Sequence, residues 1–66
     1  MQSSSRWHIY ENRQNAVATT QIRDWAKLQG WPTEYSRIGW TTEVAVQCTD
    51  AQWRATLAEC GITIYQ

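Results

Sequence analysis

The chain has no phenylalanine, one proline, one histidine and three glycines among its 66 residues. Without Phe, an apolar core must come from Trp, Ile, Val and Leu. The single Pro32 and three glycines exclude a low-complexity or collagen-like chain. Charge of one sign is also missing: six basic and six acidic residues leave a formal net charge of +0. The basic residues Arg6, Arg13, Arg23, Lys27, Arg37 and Arg54 are scattered, so no phosphate-binding stripe is visible. No apolar run nears the ~20 residues that span a bilayer, and Met1–Ser5 has no apolar segment of the signal-peptide type. The expectations are a cytoplasmic protein with no membrane partner and a flexible tail over residues 1–5.

Cysteine is scarce. Cys48 and Cys60 bracket a predicted helix that separates them by roughly 16 Å, too far for a disulfide. Catalytic inventory is equally thin. His8 is the only histidine, and alternation along its strand places it on the face opposite Cys48, so no Cys–His nucleophile forms. No spacing of His, Cys, Asp or Glu resembles a zinc or calcium site, and no glycine-rich loop could cradle a phosphate. The chain reads as a non-enzyme with no catalytic residue, metal or cofactor.

What it does have is aromatic residues: five Trp and three Tyr. A domain this small buries only about 60% of its unfolded surface, so large side chains matter to it. Arg6–Glu11 alternates as a half-buried strand, with Trp7 and Ile9 on one side and His8 and Tyr10 on the other. Residues 12–15 are turn-prone. Ala16–Gln29 reads as a helix with Ile22, Trp25, Ala26 and Gln29 on one stripe. Gly30 stops it and Pro32 prevents continuation. Thr33–Trp40 and Thr42–Cys48 read as two strands of a hairpin, with Gly39 marking a bulge or turn. Thr49-Asp-Ala-Gln52 is a capping box opening a second helix, which Gly61 closes. Ile62–Tyr65 reads as a last strand.

The order β-α-β-β-α-β in 6–66 predicts one ferredoxin-like α+β domain, a four-stranded antiparallel sheet with both helices on one face. Parity then assigns Trp7, Ile9, Ile38, Val44, Val46, Ile62 and Ile64 to the covered face. It assigns His8, Tyr10, Tyr35, Arg37, Glu43, Ala45, Gln47, Thr63 and Tyr65 to the open face. A one-residue register error in any strand exchanges its two sets.

Tyr and Arg are enriched at interface hot spots. The expected partner-binding set is therefore His8, Tyr10, Tyr35, Arg37 and Tyr65, joined by Trp40 near the hairpin tip. The functional expectation is a small non-catalytic protein-binding module that occludes another protein stoichiometrically, as a phage-type inhibitor or an adaptor would. Two alternatives stand beside it. One is a self-associating domain or homodimer. The other is a single-stranded nucleic-acid binder that stacks bases on Tyr10, Tyr65 and His8. The third strand opposes the latter, since Glu43, Ala45 and Gln47 supply no aromatic of the kind RNA-recognition motifs use.

Overall fold

Punctuation by glycine, threonine and proline sets the elements. A computed structural model describes residues 4–14 and 16–62, and contains β1 (Arg6–Asn12), α1 (Val17–Gln29), β2 (Thr33–Ile38), β3 (Thr41–Cys48) and α2 (Asp50–Glu59). Both helices end in the same way. Gly30 takes φ 84°, its N–H donates to Lys27 O, and Trp31 N–H donates to Ala26 O. Gly61 takes φ 69°, its N–H donates to Ala58 O, and Ile62 N–H donates to Leu57 O. These paired bonds are Schellman motifs, and Trp31 and Ile62 fold back against the core. α2 begins on the expected capping box: Gln52 N–H donates to Thr49 Oγ1 at 3.1 Å, and Thr49 N–H donates to Gln52 Oε1 at 2.9 Å.

The three strands form one antiparallel sheet in the order β1-β3-β2. Among the described residues a four-stranded sheet is not seen, which corrects the ferredoxin-like expectation while the α+β class stands. Of the expected fourth strand, only Ile62 is described, and it is not in a strand; Thr63, Ile64 and Tyr65 lie outside the described residues. So do Met1–Ser3 of the expected tail and Asn15.

β3 alternates buried and half-buried residues along its full length. Its inner row of Thr42, Val44, Val46 and Cys48 meets Ile22 and Ala26 of α1 and Leu57 of α2, so both helices lie on one face. Thr19 Oγ1 donates to Thr42 Oγ1 at 2.7 Å inside this layer. A buried hydroxyl left without a partner costs about 1–3 kcal/mol, so the pair helps fix α1 over β3. The fully buried apolar core is small and contains no Trp. Trp31 and Trp53 only rim it, so the expectation that Trp would form the core is corrected.

The hairpin closes tightly. Ile38 pairs with Thr41, leaving Gly39 and Trp40 as a two-residue loop. Gly39 has φ 60° and Trp40 does not have positive φ, the pattern of a type II′ turn. Gly39 is thus the turn and not a bulge.

Two stability outcomes are expected. Gly39→Ala should lower the unfolding free energy by about 1 kcal/mol, because an L side chain is disfavoured at that φ. Thr49→Ala should cost about 1 kcal/mol by removing the cap of α2. Urea denaturation followed by circular dichroism measures both, with unchanged native spectra as the control.

Candidate interaction surface

In an antiparallel ladder, directly opposite residues share a face. Arg6, His8, Tyr10 and Asn12 lie opposite Cys48, Val46, Val44 and Thr42. Thr33, Tyr35 and Arg37 lie opposite Val46, Val44 and Thr42. These residues therefore belong to the helix-covered face. The assignment from sequence holds for β3 and is inverted for β1 and β2. His8, Tyr10, Tyr35 and Arg37 do not form an open-face cluster, and Trp7, Ile9 and Ile38 are not in the core.

One cost set against the expected parity is carboxylate desolvation. Putting Trp7 and Ile9 inward would put Glu11 inward too, and Ile38 would take Glu34 with it. Burying an unpaired carboxylate costs far more than one aliphatic side chain gains. The flanking strands also meet only the margins of the helix layer. A tyrosine there can bury its ring and keep its hydroxyl near water.

Each expected contact residue has a definite place. His8 is only 7% exposed and stacks on Trp53, with ring centroids 5.1 Å apart and planes at 13°. Its Nε2 lies 3.3 Å from Asp50 Oδ1, but off the hydrogen-bonding direction, so that buried nitrogen has no hydrogen-bond partner. Tyr10 and Tyr35 are half-buried against the core, and the Arg23 guanidinium sits 4.9 Å over the Tyr35 ring. Arg37 is exposed, and its Nε donates to Gly39 O at 3.2 Å. Trp40 is 77% exposed at the turn. Tyr65 lies outside the described residues.

The open face holds different residues. Register gives four rows across the strands: Trp7 with Gln47; Ile9, Ala45 and Glu34; Glu11, Glu43 and Ser36; Thr41 with Ile38. Rows two residues apart are about 7 Å from each other. Trp7 is 44% exposed, Ile9 62% and Ile38 81%. A shallow depression of about 360 Å³ is lined by Glu34, Tyr35, Ser36, Glu43 and Ala45. A second, of about 140 Å³, is lined by Glu11, Ser36, Ile38, Thr41 and Glu43. Trp7, Ile9, Ile38, Glu11 and Glu34 were missed as contact candidates. The alternation of Glu11 with Ile9 and Trp7, and of Glu34 with Ile38, was the available signal.

His8 and Cys48 share the covered face, contrary to the parity reading that separated them. Burial, reinforced by nearby Asp50, raises the Cys48 thiol above its ordinary value, and burial followed by Glu59 raises Cys60. Both shifts favour the thiol, whereas a reactive cysteine needs the thiolate. Among the described residues no group of three His, Cys, Asp or Glu could hold a metal ion, and no helix is long and apolar enough to cross a membrane.

Asp50 joins two elements of the covered side, β1 and α2. It accepts a hydrogen bond from Arg6 Nε at 2.7 Å and lies in the first turn of α2. The Arg6 hydrogen bond, assisted by the charges of Arg6, His8 and Arg54, lowers its pKa despite some opposing desolvation.

The chain finds no match among protein-family models, curated proteins or solved structures. Its functional reading therefore rests on its own surface.

Asp50 supplies a test. With a depressed folded-state pKa, its contribution to stability is present above the unfolded-state value of about 3.9. It is lost as pH falls through the folded-state value. Asp50→Asn should therefore remove part of the acid-side decline in melting temperature. Thermal melts of both proteins between about pH 2 and pH 6 check this, and equal declines would refute it.

Proposed function

We propose that the protein is a binding module for another protein and that its contact surface is the open face of the sheet. The observation that carries this reading is the exposure of Trp7, Ile9 and Ile38 on a face that neither helix covers. Trp7 and Ile9 adjoin on β1, and Ile38 stands apart from them across the row of Glu11, Glu43 and Ser36; exposed apolar residues within a polar frame mark interaction sites. Trp is also among the residue types that dominate interface energetics. Trp40, exposed on the two-residue turn, borders Gln14, Ala16, Arg37 and Thr42 on the helix-covered side and is not part of this face.

Binding by this surface needs no chemistry from the protein. It would act by covering a partner's surface or by bridging two partners. The two alternatives lose ground on the same face. Base stacking would bring phosphates close to Glu11, Glu34 and Glu43, which repel them. Face-to-face pairing of two copies would place these carboxylates against their own counterparts.

Affinity capture from lysate of the source cells tests the reading, using the wild type, Trp7→Ala/Ile9→Ala, and Leu28→Ala. Leu28 is also apolar and is more exposed than either, but lies on α1. A partner held by the wild type and by Leu28→Ala should be retained at least about tenfold less by the double variant, as loss of a hot spot implies. Equal retention by all three forms would refute the open face as the contact. Thermal melts would confirm that the double variant is folded.

A further inference from the structure

We infer that the open face docks a basic protein segment, in which Lys or Arg side chains alternate with apolar ones. This rests on the reading of that face as a protein-binding surface and specifies the chemistry of the partner.

The charge of the chain balances overall but not on this face. Three of its six acidic residues, Glu11, Glu34 and Glu43, occupy open-face strand positions, and none of its six basic residues does. Arg6 and Arg37 are on strands but belong to the covered side, opposite Cys48 and Thr42. Arg13, just beyond β1, donates from Nε to Glu11 Oε1 at 3.3 Å and so pairs one of the three carboxylates. The Glu34 and Glu43 side chains have no ion pair or hydrogen bond among the described residues.

Placement reinforces the sign. Glu11 and Glu43 are directly opposite across the β1–β3 ladder, and like charges so placed repel. Both depressions include Glu43 and Ser36 in their lining, one adding Glu34 and the other Glu11. A cation above Glu43 would meet two carboxylates and a hydroxyl. The apolar groups stand on either side: Trp7 and Ile9 toward one end of the sheet, Ile38 toward the other.

Charge complementarity selects among occupants. An uncharged apolar partner would strip water from the Glu34 and Glu43 carboxylates without replacing it, and Glu11 would keep only its Arg13 bond. A second copy presenting the same face, a nucleic acid or an anionic lipid surface would add negative charge to negative charge. A segment that alternates cations with apolar side chains satisfies both sets of groups, and its ion pairs become charge-assisted hydrogen bonds.

The test is selection of a displayed library of random peptides, about twelve residues long so that a strand-length contact fits, on the immobilised full chain at low salt. Recovered peptides are then measured against wild type, Glu11→Gln/Glu34→Gln/Glu43→Gln and Trp7→Ala/Ile9→Ala. The expected peptides carry two or more Lys or Arg interspersed with apolar residues. They should bind the triple Gln variant about tenfold more weakly, as three partly exposed ion pairs imply, and weaken as salt rises. Neutral or acidic peptides that still require Trp7 and Ile9 would overturn the basic partner and leave the binding face standing. So would basic peptides that need Trp7 and Ile9 but bind the triple variant as tightly as wild type. No enrichment, or peptides indifferent to Trp7→Ala/Ile9→Ala, would overturn both readings.

Discussion

The register of β3 against its two neighbours is the constraint on which the rest of the molecule depends. One set of β3 side chains, Thr42, Val44, Val46 and Cys48, is buried under the helices. The intervening set, Glu43, Ala45 and Gln47, faces the other way. Whatever pairs opposite the first set is drawn under the helices, and whatever pairs opposite the second is left outside. His8, Tyr10 and Tyr35 are thereby covered, and Trp7, Ile9, Glu11 and Glu34 uncovered. A slip of one residue in either ladder would exchange the sets. The Thr19–Thr42 hydroxyl pair ties the same strand to α1, so helix position and strand register are fixed together.

Local chemistry was legible in the sequence because it acts within a few residues. Gly30 and Gly61 stop the helices and Thr49 with Gln52 starts one, each through bonds to close neighbours. The parity of β3 was legible as well, since its two valines and Cys48 alternate with Glu43 and Gln47. The parity of β1 and β2 was not legible from hydropathy, because both faces of each strand carry apolar or aromatic groups. Trp7 and Ile9 outweigh His8 and Tyr10 on a hydropathy scale, but the same parity carries Glu11 toward the helices, as Ile38 would carry Glu34. One buried carboxylate opposes more than one exposed aliphatic can supply.

The candidate site was half legible for the same reason. Glu43, Ala45 and Gln47 stand where alternation put them, and Trp40 is exposed at the turn. The tyrosines differ because their amphipathic rings suit the margin of a small core as well as they suit an interface. Tyr10 and Tyr35 rim the core, and His8 is held between Trp53 and the Asp50 carboxylate. Composition cannot separate those two uses of tyrosine, whereas pairing across the ladder can.

The facing pair Glu11 and Glu43 has a consequence for the energy landscape of the chain. Two like charges on adjacent strands are a point of local frustration: the sheet that best buries the core is not the sheet that best disposes its charges. The Arg13 side chain, 3.3 Å from Glu11, offsets part of that repulsion, so the facing glutamates lean on a residue outside the strand.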